Sequence, residues 1–458
     1  MSFNSWQYLV FLPVVLLLFS VSDRDNRWKI LLLSSYLFYT FSVPWYSLLL
    51  ITSTSVTWLA ALQIEKTTLK FKRKLVLAVA LAIEFGILAT FKYLLPFIGF
   101  NNMTGNNLFY AVALPVGISF YTFKSAGYLT DVYRGTQQTE KNLLKYALFV
   151  SYFPQLIAGP IDRASHLMPQ LNNIPGLQQK NLVRGLERII WGFFKKVVIA
   201  DNIRSFTEHS LSLQEDYSGI QVYITLLLFS IQILADFSGY CDIALGTSML
   251  FGIKLSENFN RPYLKTSISA FWNSWNLTLT HWVRDYIYYP LNKGIFSKWK
   301  IYFNTFITFL IIGIWHGPSL NFVYFGLYNG IIVIAEHILN PSSLNYYLRK
   351  TNAGKWLLVF KNYHVILIGT VLFCSSESAK TRALYNGLLN GWNNTDILRG
   401  FPIFDFALII ALSFSFALIS YLRLSKKATT RIALSVLALV MIYLFGVGEN
   451  TAFYYFQF

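Results

Sequence analysis

Charged residues are scarce in this chain of 458 residues, and their scarcity argues against a soluble protein. Asp, Glu, Lys and Arg together make up 13% of the sequence, whereas hydrophobic residues make up 55%. Soluble globular domains carry about 25% charged residues. A composition this apolar therefore predicts an integral membrane protein.

Cysteine is almost absent, and two thiols exclude a disulfide framework. Cys241 and Cys374 both lie in apolar sequence without metal-ligand spacing around them. A thiol nucleophile is not favoured either, because a reactive thiolate needs an electropositive setting. Linkers, low-complexity tracts and internal repeats are also lacking. We therefore expect one membrane domain over residues 1–458, with a catalytic core at about 114–330.

Apolar runs suited to membrane helices recur along the whole chain. They are residues 6–21, 31–41, 45–62, 75–94, 108–123, 143–158, 182–200, 219–235, 302–315, 320–338, 356–374, 403–422 and 430–447. Because a spanning helix needs about 20 apolar residues, about 10–12 of these runs are expected to span and the rest to be re-entrant or interfacial. The runs are continuous rather than alternating, which predicts an all-α polytopic fold. The first run has no basic segment before it and is expected to be a retained span, not a signal peptide.

The net charge of +17 is best explained by membrane topology. In a soluble protein it would suggest nucleic acid, but Lys and Arg accumulate in the cytoplasmic loops of membrane proteins. No nucleic-acid partner is therefore expected. The densest basic cluster (Lys66, Lys70, Lys72, Arg73 and Lys74) is expected in the cytoplasm. Attraction for an anionic donor is a secondary explanation.

The middle of the chain is where polar residues interrupt the apolar runs. The run 306–315 ends on His316, where an ionisable group is costly and usually faces a protein cavity. Residues 271–286 upstream are too polar and aromatic for a lipid-facing span. A histidine beside such a hairpin predicts a catalytic chamber. The alternative is a hydrogen-bonded core histidine.

Asn276 and His316 lie 40 residues apart, and each follows a tryptophan, Trp275 and Trp315. This pattern resembles the signature of the membrane-bound O-acyltransferase family. The wider resemblance is to the bacterial branch that O-acetylates alginate and similar exopolysaccharides. It covers strings through most of the chain, at residues 114–123, 131–135, 153–161, 236–244, 258–263, 284–288, 315–317 and 453–458.

The resemblance implies an all-α enzyme of the bacterial inner membrane, surrounded by membrane lipid, whose helices enclose a central tunnel. It implies acetyl transfer from cytoplasmic acetyl-coenzyme A to a hydroxyl of an exopolysaccharide, or to an extracytoplasmic SGNH-like protein that relays the acetyl group. Neither a permanently bound cofactor nor a metal is expected.

Other functions remain open. The same family includes enzymes for teichoic acid D-alanylation, peptidoglycan O-acetylation and acylation of lipid or protein hydroxyls. A transporter would also place polar residues at mid-membrane, but inverted repeats are lacking from the sequence. An inactive scaffold is disfavoured because His316 is retained.

The chemistry of acyl transfer suggests roles for the two motif residues. The hydroxyl must lose its proton during attack, and the imidazole of His316 is the natural base near neutral pH. Asn276 cannot act as a base, but its amide could stabilise the negative charge on the acyl oxygen. Alginate-type members generally carry histidine at this position, which puts a two-histidine mechanism and the acceptor in doubt. His281 could partly replace that imidazole, although an anchoring role is favoured.

Charged residues of the motif strings are expected to support the site. Asp236 and Asp242 could orient His316 or pair with Arg261 or Arg284, and a structural ion pair is favoured. Arg284 and Asp285 are expected to pair within the hairpin.

Further residues are candidates for binding the donor and for lining the tunnel. Arg163, Lys195 and Lys196 are candidates for binding the phosphates of the donor. The tryptophans of the motifs are expected to line the tunnel or to anchor it at the interface (Trp272, Trp275, Trp282 and Trp315). The remaining histidines, at 166, 209, 337 and 364, receive no role.

Overall fold

The computed structural model describes residues 1–41, 43–98, 114–212, 217–294, 297–339, 343–392, 397–398, 400–421, 428–448 and 453. Parts of the apolar run 108–123 and of the terminal string 453–458 lie outside these residues. The described chain is helical and contains no strand, which confirms the all-α fold class.

By its internal contacts the chain divides into two compact units. The first unit comprises Met1–Ile190 and Tyr240–Glu257, and the second comprises Trp191–Gly239 and Asn258–Phe458. The single membrane domain expected from the sequence stays a prediction.

The first unit is built from helices of very different lengths. They are Trp6–Val21, Arg27–Thr40, Tyr46–Lys66, Lys70–Ala89, the π-helical turn Thr90–Leu94, Leu95–Phe97, Ile118–Arg134, Leu143–Ser151, Phe153–Leu156 and Ala164–Asn172. Two further helices have residues in both units, Gln179–Phe193 and Gly219–Leu250.

A left-handed glycine begins one of the most buried helices of the first unit. Gly117 has φ of 81°, and a Cβ at this position would lie 2.5 Å from the carbonyl oxygen of Leu156. Only glycine fits such a backbone conformation and such a close approach. The strings 114–123 and 153–161 therefore pack directly against each other.

Asp162 joins two loops of the first unit and contacts a histidine. Its Oδ2 accepts a hydrogen bond from the Ser256 amide at 3.1 Å, and its Oδ1 accepts one from the Ser256 hydroxyl. The Nδ1 of His166 lies 3.1 Å from the same Oδ1. This hydrogen bond to Asp162 raises the pKa of His166, against a smaller opposing effect of burial. We call these three residues the loop clasp.

The apolar run 143–158 is not one helix. It forms Leu143–Ser151 and Phe153–Leu156, which are separated at Tyr152. Pro154 has no backbone N–H to continue the preceding helix, and its ring restricts the chain before it. A helix of nine residues is too short to cross a bilayer.

The second unit contains the aromatic hairpin of residues 271–286 and a long helical pair. Its helices are Asp201–Ser212, Ile268–Trp272, Leu277–Val283, Tyr289–Asn292, Lys298–His316, Leu320–Leu339, Ser343–Lys350, Asn352–Cys374, Ser378–Asn390, Ile403–Tyr421 and Ala428–Phe445. Phe194–Ala200 and Arg284–Tyr288 are π-helical, and Pro262–Leu264 is a 3₁₀ turn.

Two adjacent helices of the second unit pack backbone against backbone. We call Lys298–His316 the histidine helix and Leu320–Leu339 the return helix. A Cβ on Gly313 would lie 2.3 Å from the Phe322 carbonyl oxygen, and a Cβ on Gly326 would lie 2.5 Å from a carbonyl oxygen of the histidine helix. Small residues at such contacts allow close helix packing in membranes. This contact fixes the end of the histidine helix.

Within the described residues, five helices are long and apolar enough to cross a membrane. They are Tyr46–Lys66, Lys70–Phe97, Gly219–Leu250, Leu320–Leu339 and Asn352–Cys374. Shorter apolar helices occur at Trp6–Val21, Ile403–Ala417 and Thr429–Phe445. These helices confirm a polytopic membrane protein, while the larger number of spans expected from the sequence stays a prediction.

Candidate active site

His316 ends the histidine helix and lines a cavity within the second unit. The residue is 8% exposed. The cavity has an empty volume of about 570 Å³, including the space at its mouth. We call this space the histidine cavity.

Aromatic rings form most of the wall of the histidine cavity. They are Tyr263, Phe271, Trp272, Trp275, Phe325 and Phe373. The remaining wall residues are Ile233, Asn329, Ile366 and Thr370 together with His316. The His316 ring packs edge-on against Phe373 at 4.8 Å and against Phe325 at 5.7 Å, measured between ring centroids. The imidazole therefore faces a largely apolar space in a fixed orientation.

Several polar side chains of the wall donate to backbone carbonyls. The Tyr263 hydroxyl donates to Ser230 O at 3.0 Å. Asn329 Nδ2 donates to the Phe325 carbonyl at 2.8 Å, and the Thr370 hydroxyl donates to the Ile366 carbonyl at 3.0 Å. These bonds hold the side chains in place and satisfy part of their hydrogen-bonding capacity.

Glu336 anchors the short helix that carries Trp272 to the return helix. Its two carboxylate oxygens accept the Ile268 amide at 2.7 Å, the Ser269 amide at 2.8 Å and the Ser269 hydroxyl at 2.8 Å. The Ser267 hydroxyl also accepts the Ala270 amide at 3.1 Å. A carboxylate at free backbone N–H groups stabilises a helix start. The position of the aromatic hairpin is thus tied to the helix beside His316.

Asn276 occupies an unusual backbone conformation at the start of helix Leu277–Val283. Its φ and ψ are 41° and 57°, in the left-handed region. Among non-glycine residues this region favours Asn, Asp and His. Asn258 braces the turn, because its side-chain oxygen accepts the Thr278 amide at 3.1 Å and the Thr278 hydroxyl at 2.6 Å. Asn276 is 3% exposed.

The cavity wall, as the described residues form it, includes Trp275 but not its neighbour Asn276. His281 lies in the last turn of the helix that follows Asn276, and it is not a wall residue either. The ring of Trp315 lies 4.8 Å from the His316 ring, outside the wall. The roles that the sequence predicts for these residues stay predictions.

Asp236 belongs to a buried ion cluster in the second unit. The Lys196 ammonium donates to Asp236 Oδ1 at 2.9 Å and to Asp201 Oδ1 at 2.8 Å. It also lies 4.7 Å from the centre of the Phe453 ring. Lys196 is 1% exposed. We call Lys196, Asp201 and Asp236 the lysine cluster.

The other charged residues of the motif strings have different surroundings. Asp242, in the first unit, accepts two hydrogen bonds from Arg188 at 2.9 and 3.0 Å. Both aspartates thus form ion pairs, with partners that the sequence analysis did not name. Arg284 Nε donates to Asp285 Oδ1 at 2.8 Å within a π-helical turn. Lys195 is half-buried, as is Arg163, which immediately precedes helix Ala164–Asn172.

Sequence reasoning missed several residues that build the site. Glu336 is a carboxylate within an apolar run, and an ionisable residue in such a run indicates a functional site. Asn329, a polar residue in the same run, is a weaker indication of the same kind. Ile366 and Thr370 lie beyond the expected end of the catalytic core at residue 330, in a run that looks like ordinary lipid-facing sequence. Their contribution depends on how distant helices pack.

Comparisons with known proteins identify the family of this chain. A family model of membrane-bound O-acyltransferases matches residues 136–376, which include the whole wall of the histidine cavity. The chain is 33% identical over 415 residues to the probable alginate O-acetylase of Pseudomonas aeruginosa, covering 87% of this chain and 77% of that protein.

Two further relatives are named for other activities. The peptidoglycan O-acetyltransferase of Helicobacter pylori is 33% identical over 391 residues, covering 79% of this chain and 74% of that protein. The teichoic acid D-alanyltransferase of Bacillus subtilis is 26% identical over 268 residues, covering 56% of this chain and 68% of that protein. All three names describe transfer of an acyl group. This chain belongs to the membrane-bound O-acyltransferase family and is an acyltransferase.

Proposed function

We propose that the protein transfers an acetyl group from cytoplasmic acetyl-coenzyme A to a hydroxyl of an exopolysaccharide. The acetyl group crosses the inner membrane and reaches the polymer directly or through an extracytoplasmic SGNH-like relay protein. The observation that carries this proposal is His316 in the wall of an aromatic cavity at the end of a helix. The similarity to an alginate O-acetylase and a peptidoglycan O-acetyltransferase supports acetyl as the group and a glycan as the acceptor.

The proposed reaction needs one base and one leaving group. The acceptor hydroxyl attacks the thioester carbon while the His316 imidazole takes its proton. The resulting tetrahedral intermediate collapses, the carbon–sulfur bond breaks, and the sulfur takes that proton to leave as the thiol. The acetyl ester remains on the acceptor. If a relay protein is used, its hydroxyl is the first acceptor and the polymer hydroxyl the second.

The phosphates of the donor are proposed to meet basic side chains on the cytoplasmic side. Arg163 of the first unit and Lys195 of the second are each half-buried, and each is a separate candidate for such a contact. The sequence also suggests Lys196 for this role. Its ammonium, however, is enclosed between two carboxylates, which favours a structural role.

A second candidate is D-alanyl transfer to teichoic acid by the same chemistry. The relative of Bacillus subtilis supports it, although it matches a smaller share of this chain than the acetylating relatives do. An assay with both activated acyl groups separates the two candidates.

Sealed vesicles test the proposal directly. Inverted vesicles that contain the protein and enclose an acetyl-accepting oligosaccharide receive radiolabelled acetyl-coenzyme A on the outer, formerly cytoplasmic, face. We expect label on the enclosed oligosaccharide, either without an added protein or only when the relay protein is enclosed with it. Label in vesicles with His316→Ala at the wild-type rate would contradict the proposal.

The matched control is Trp299→Phe, since Trp299 is 80% exposed at the far end of the same helix. This variant should retain transfer. Labelling only when donor and acceptor share one face would exclude transfer across the membrane and leave a one-sided transferase.

A further inference from the structure

Trp272 differs in its hydrogen bonding from Tyr263, Asn329 and Thr370, which line the same cavity. Its Nε1–H is buried, and it has no hydrogen-bond partner among the described residues. Tyr263, Asn329 and Thr370 donate to backbone carbonyls in the same wall. Leaving a buried donor unsatisfied costs free energy. The indole N–H is therefore a donor kept for a bound group.

The indole ring is held in a defined orientation. It packs nearly edge-on against Phe271 at 5.3 Å, Phe309 at 5.4 Å and Phe325 at 6.2 Å, measured between ring centroids. The short helix that ends at Trp272 is anchored by Glu336 through three hydrogen bonds. A donor fixed before the reaction needs no reorganisation when negative charge develops.

Trp272 and His316 face the same space. Both line the histidine cavity. Both also pack edge-on against one ring, that of Phe325, at centroid distances of 6.2 and 5.7 Å. A carbonyl group bound in this cavity would therefore have a candidate base and an indole N–H donor in the same wall.

We propose that Trp272 is a catalytic hydrogen-bond donor that binds the carbonyl oxygen of the acyl group during transfer. This inference rests on the proposed function and adds the residue that receives the developing charge. As the acceptor oxygen attacks the carbonyl carbon, the π pair of the C=O bond moves onto oxygen, where the Trp272 N–H donates to it. When the carbon–sulfur bond breaks, the pair returns to form the new ester carbonyl. The acceptor proton passes through His316 to the departing sulfur.

Replacing one atom of Trp272 tests this proposal. In 3-benzothienylalanine a sulfur replaces the indole N–H, while the size and shape of the ring stay nearly the same. We expect this change at position 272 to lower kcat on the order of 10²-fold, as loss of an oxyanion donor does. KM for acetyl-coenzyme A should change little, because the bond strengthens in the transition state.

The same replacement at Trp299, which is exposed, controls for incorporation and should leave activity unchanged. Trp272→Phe provides a second variant, which removes the N–H together with part of the ring. Its kcat should fall at least as far as that of the benzothienyl protein.

The outcomes separate this inference from the proposed function. If His316→Ala abolishes transfer but the benzothienyl protein keeps wild-type kcat, the role of Trp272 is wrong and the proposed function stands. If the benzothienyl protein loses affinity for the donor with kcat unchanged, Trp272 is a binding residue and the proposed catalytic role is also wrong. If His316→Ala is itself fully active, the proposed function fails first.

Discussion

The second unit contains two buried polar regions, and the ionisable groups in them have different surroundings. In the lysine cluster, the ammonium of Lys196 contacts the carboxylates of Asp201 and Asp236 and the ring of Phe453. In the histidine cavity, the imidazole of His316 packs against the aromatic rings of Phe325 and Phe373 and borders the cavity. Lys196 and His316 are both nearly inaccessible to solvent.

The difference separates a buried polar group that is paired within the protein from one that borders a cavity. A buried charge must be paired, because removing it from water is costly. The lysine cluster meets this requirement within the protein and leaves little for a substrate. The histidine cavity instead places His316, the proposed base, beside a space that a substrate can fill.

The largest effect is expected for His316→Ala. Loss of a general base typically lowers the rate about 10²–10⁴-fold. Because the side chain borders empty space, the protein should still fold and insert. The measurement is acetyl transfer by purified protein together with its thermal unfolding midpoint in detergent. Retention of more than about a third of wild-type activity would contradict the role of His316 as the general base.

His281→Ala is the comparison for that experiment, since His281 lies outside the cavity wall. We expect it to keep most of the activity. Equal loss in the two variants would show that His281, and not His316 alone, serves the reaction.

The lysine cluster should respond in stability rather than in chemistry. Lys196→Met leaves two buried carboxylates without their ammonium and should destabilise the protein by roughly 3–5 kcal/mol. Combining it with Asp201→Asn and Asp236→Asn should recover much of the loss, because no charge is then left unpaired. Denaturant unfolding in detergent measures both effects.

The same triple variant tests the sequence-based role of Lys196 in donor binding. A stable triple variant with an unchanged KM for acetyl-coenzyme A would assign the lysine to structure alone. A large rise in KM would show that the cluster also binds the donor.

Asn276 lies next to the cavity, and its backbone and amide can be tested separately. Asn276→Ala removes the amide and strains the left-handed backbone, whereas Asn276→Gly removes the amide without that strain. If the amide stabilises the acyl oxygen, both variants lose activity, on the order of 10²-fold. Asn276→His, which tolerates the conformation, should retain more. Full activity of Asn276→Gly would limit Asn276 to a role in the turn.

The smallest effect is expected at the loop clasp. The hydrogen bond between His166 and Asp162 raises the pKa of His166, so protonation of His166 stabilises the folded state. This stabilisation is complete below the ordinary histidine pKa of about 6.5 and is lost as pH rises through the raised value. Since the His166 side chain is 44% exposed, the shift in unfolding midpoint should be on the order of 1 °C. His166→Asn should abolish this pH dependence, and an unchanged profile would contradict it.

The sequence predicts the centre of the site better than its surroundings. His316 and the tryptophans of the hairpin stand out because polar residues are rare in apolar runs. The structure brings Trp272 and Trp275 into one cavity wall with His316. Motif spacing could not show that Trp275, and not Asn276, is among the described residues of that wall. The left-handed backbone of Asn276 depends on the bracing by Asn258, which belongs to another string.

Other features depend on packing that no local pattern records. The sequence around Lys195 and Lys196 does not show that the ammonium of Lys196 contacts Asp201 and Asp236. Consecutive residues of a helix point to different faces, so which lysine meets these carboxylates depends on the packing of the helix. The apolar helices of the first 100 residues also contain a buried polar contact. Glu84 is 1% exposed and accepts a hydrogen bond from Ser53 at 2.7 Å.

The length of the histidine helix separates its two ends. Its 19 residues extend about 28 Å at 1.5 Å per residue. Trp299, exposed in the first turn, thus lies about 26 Å from His316 along the helix axis. A side chain at that distance cannot touch a group bound in the histidine cavity, so a change at Trp299 can act on the reaction only through the fold.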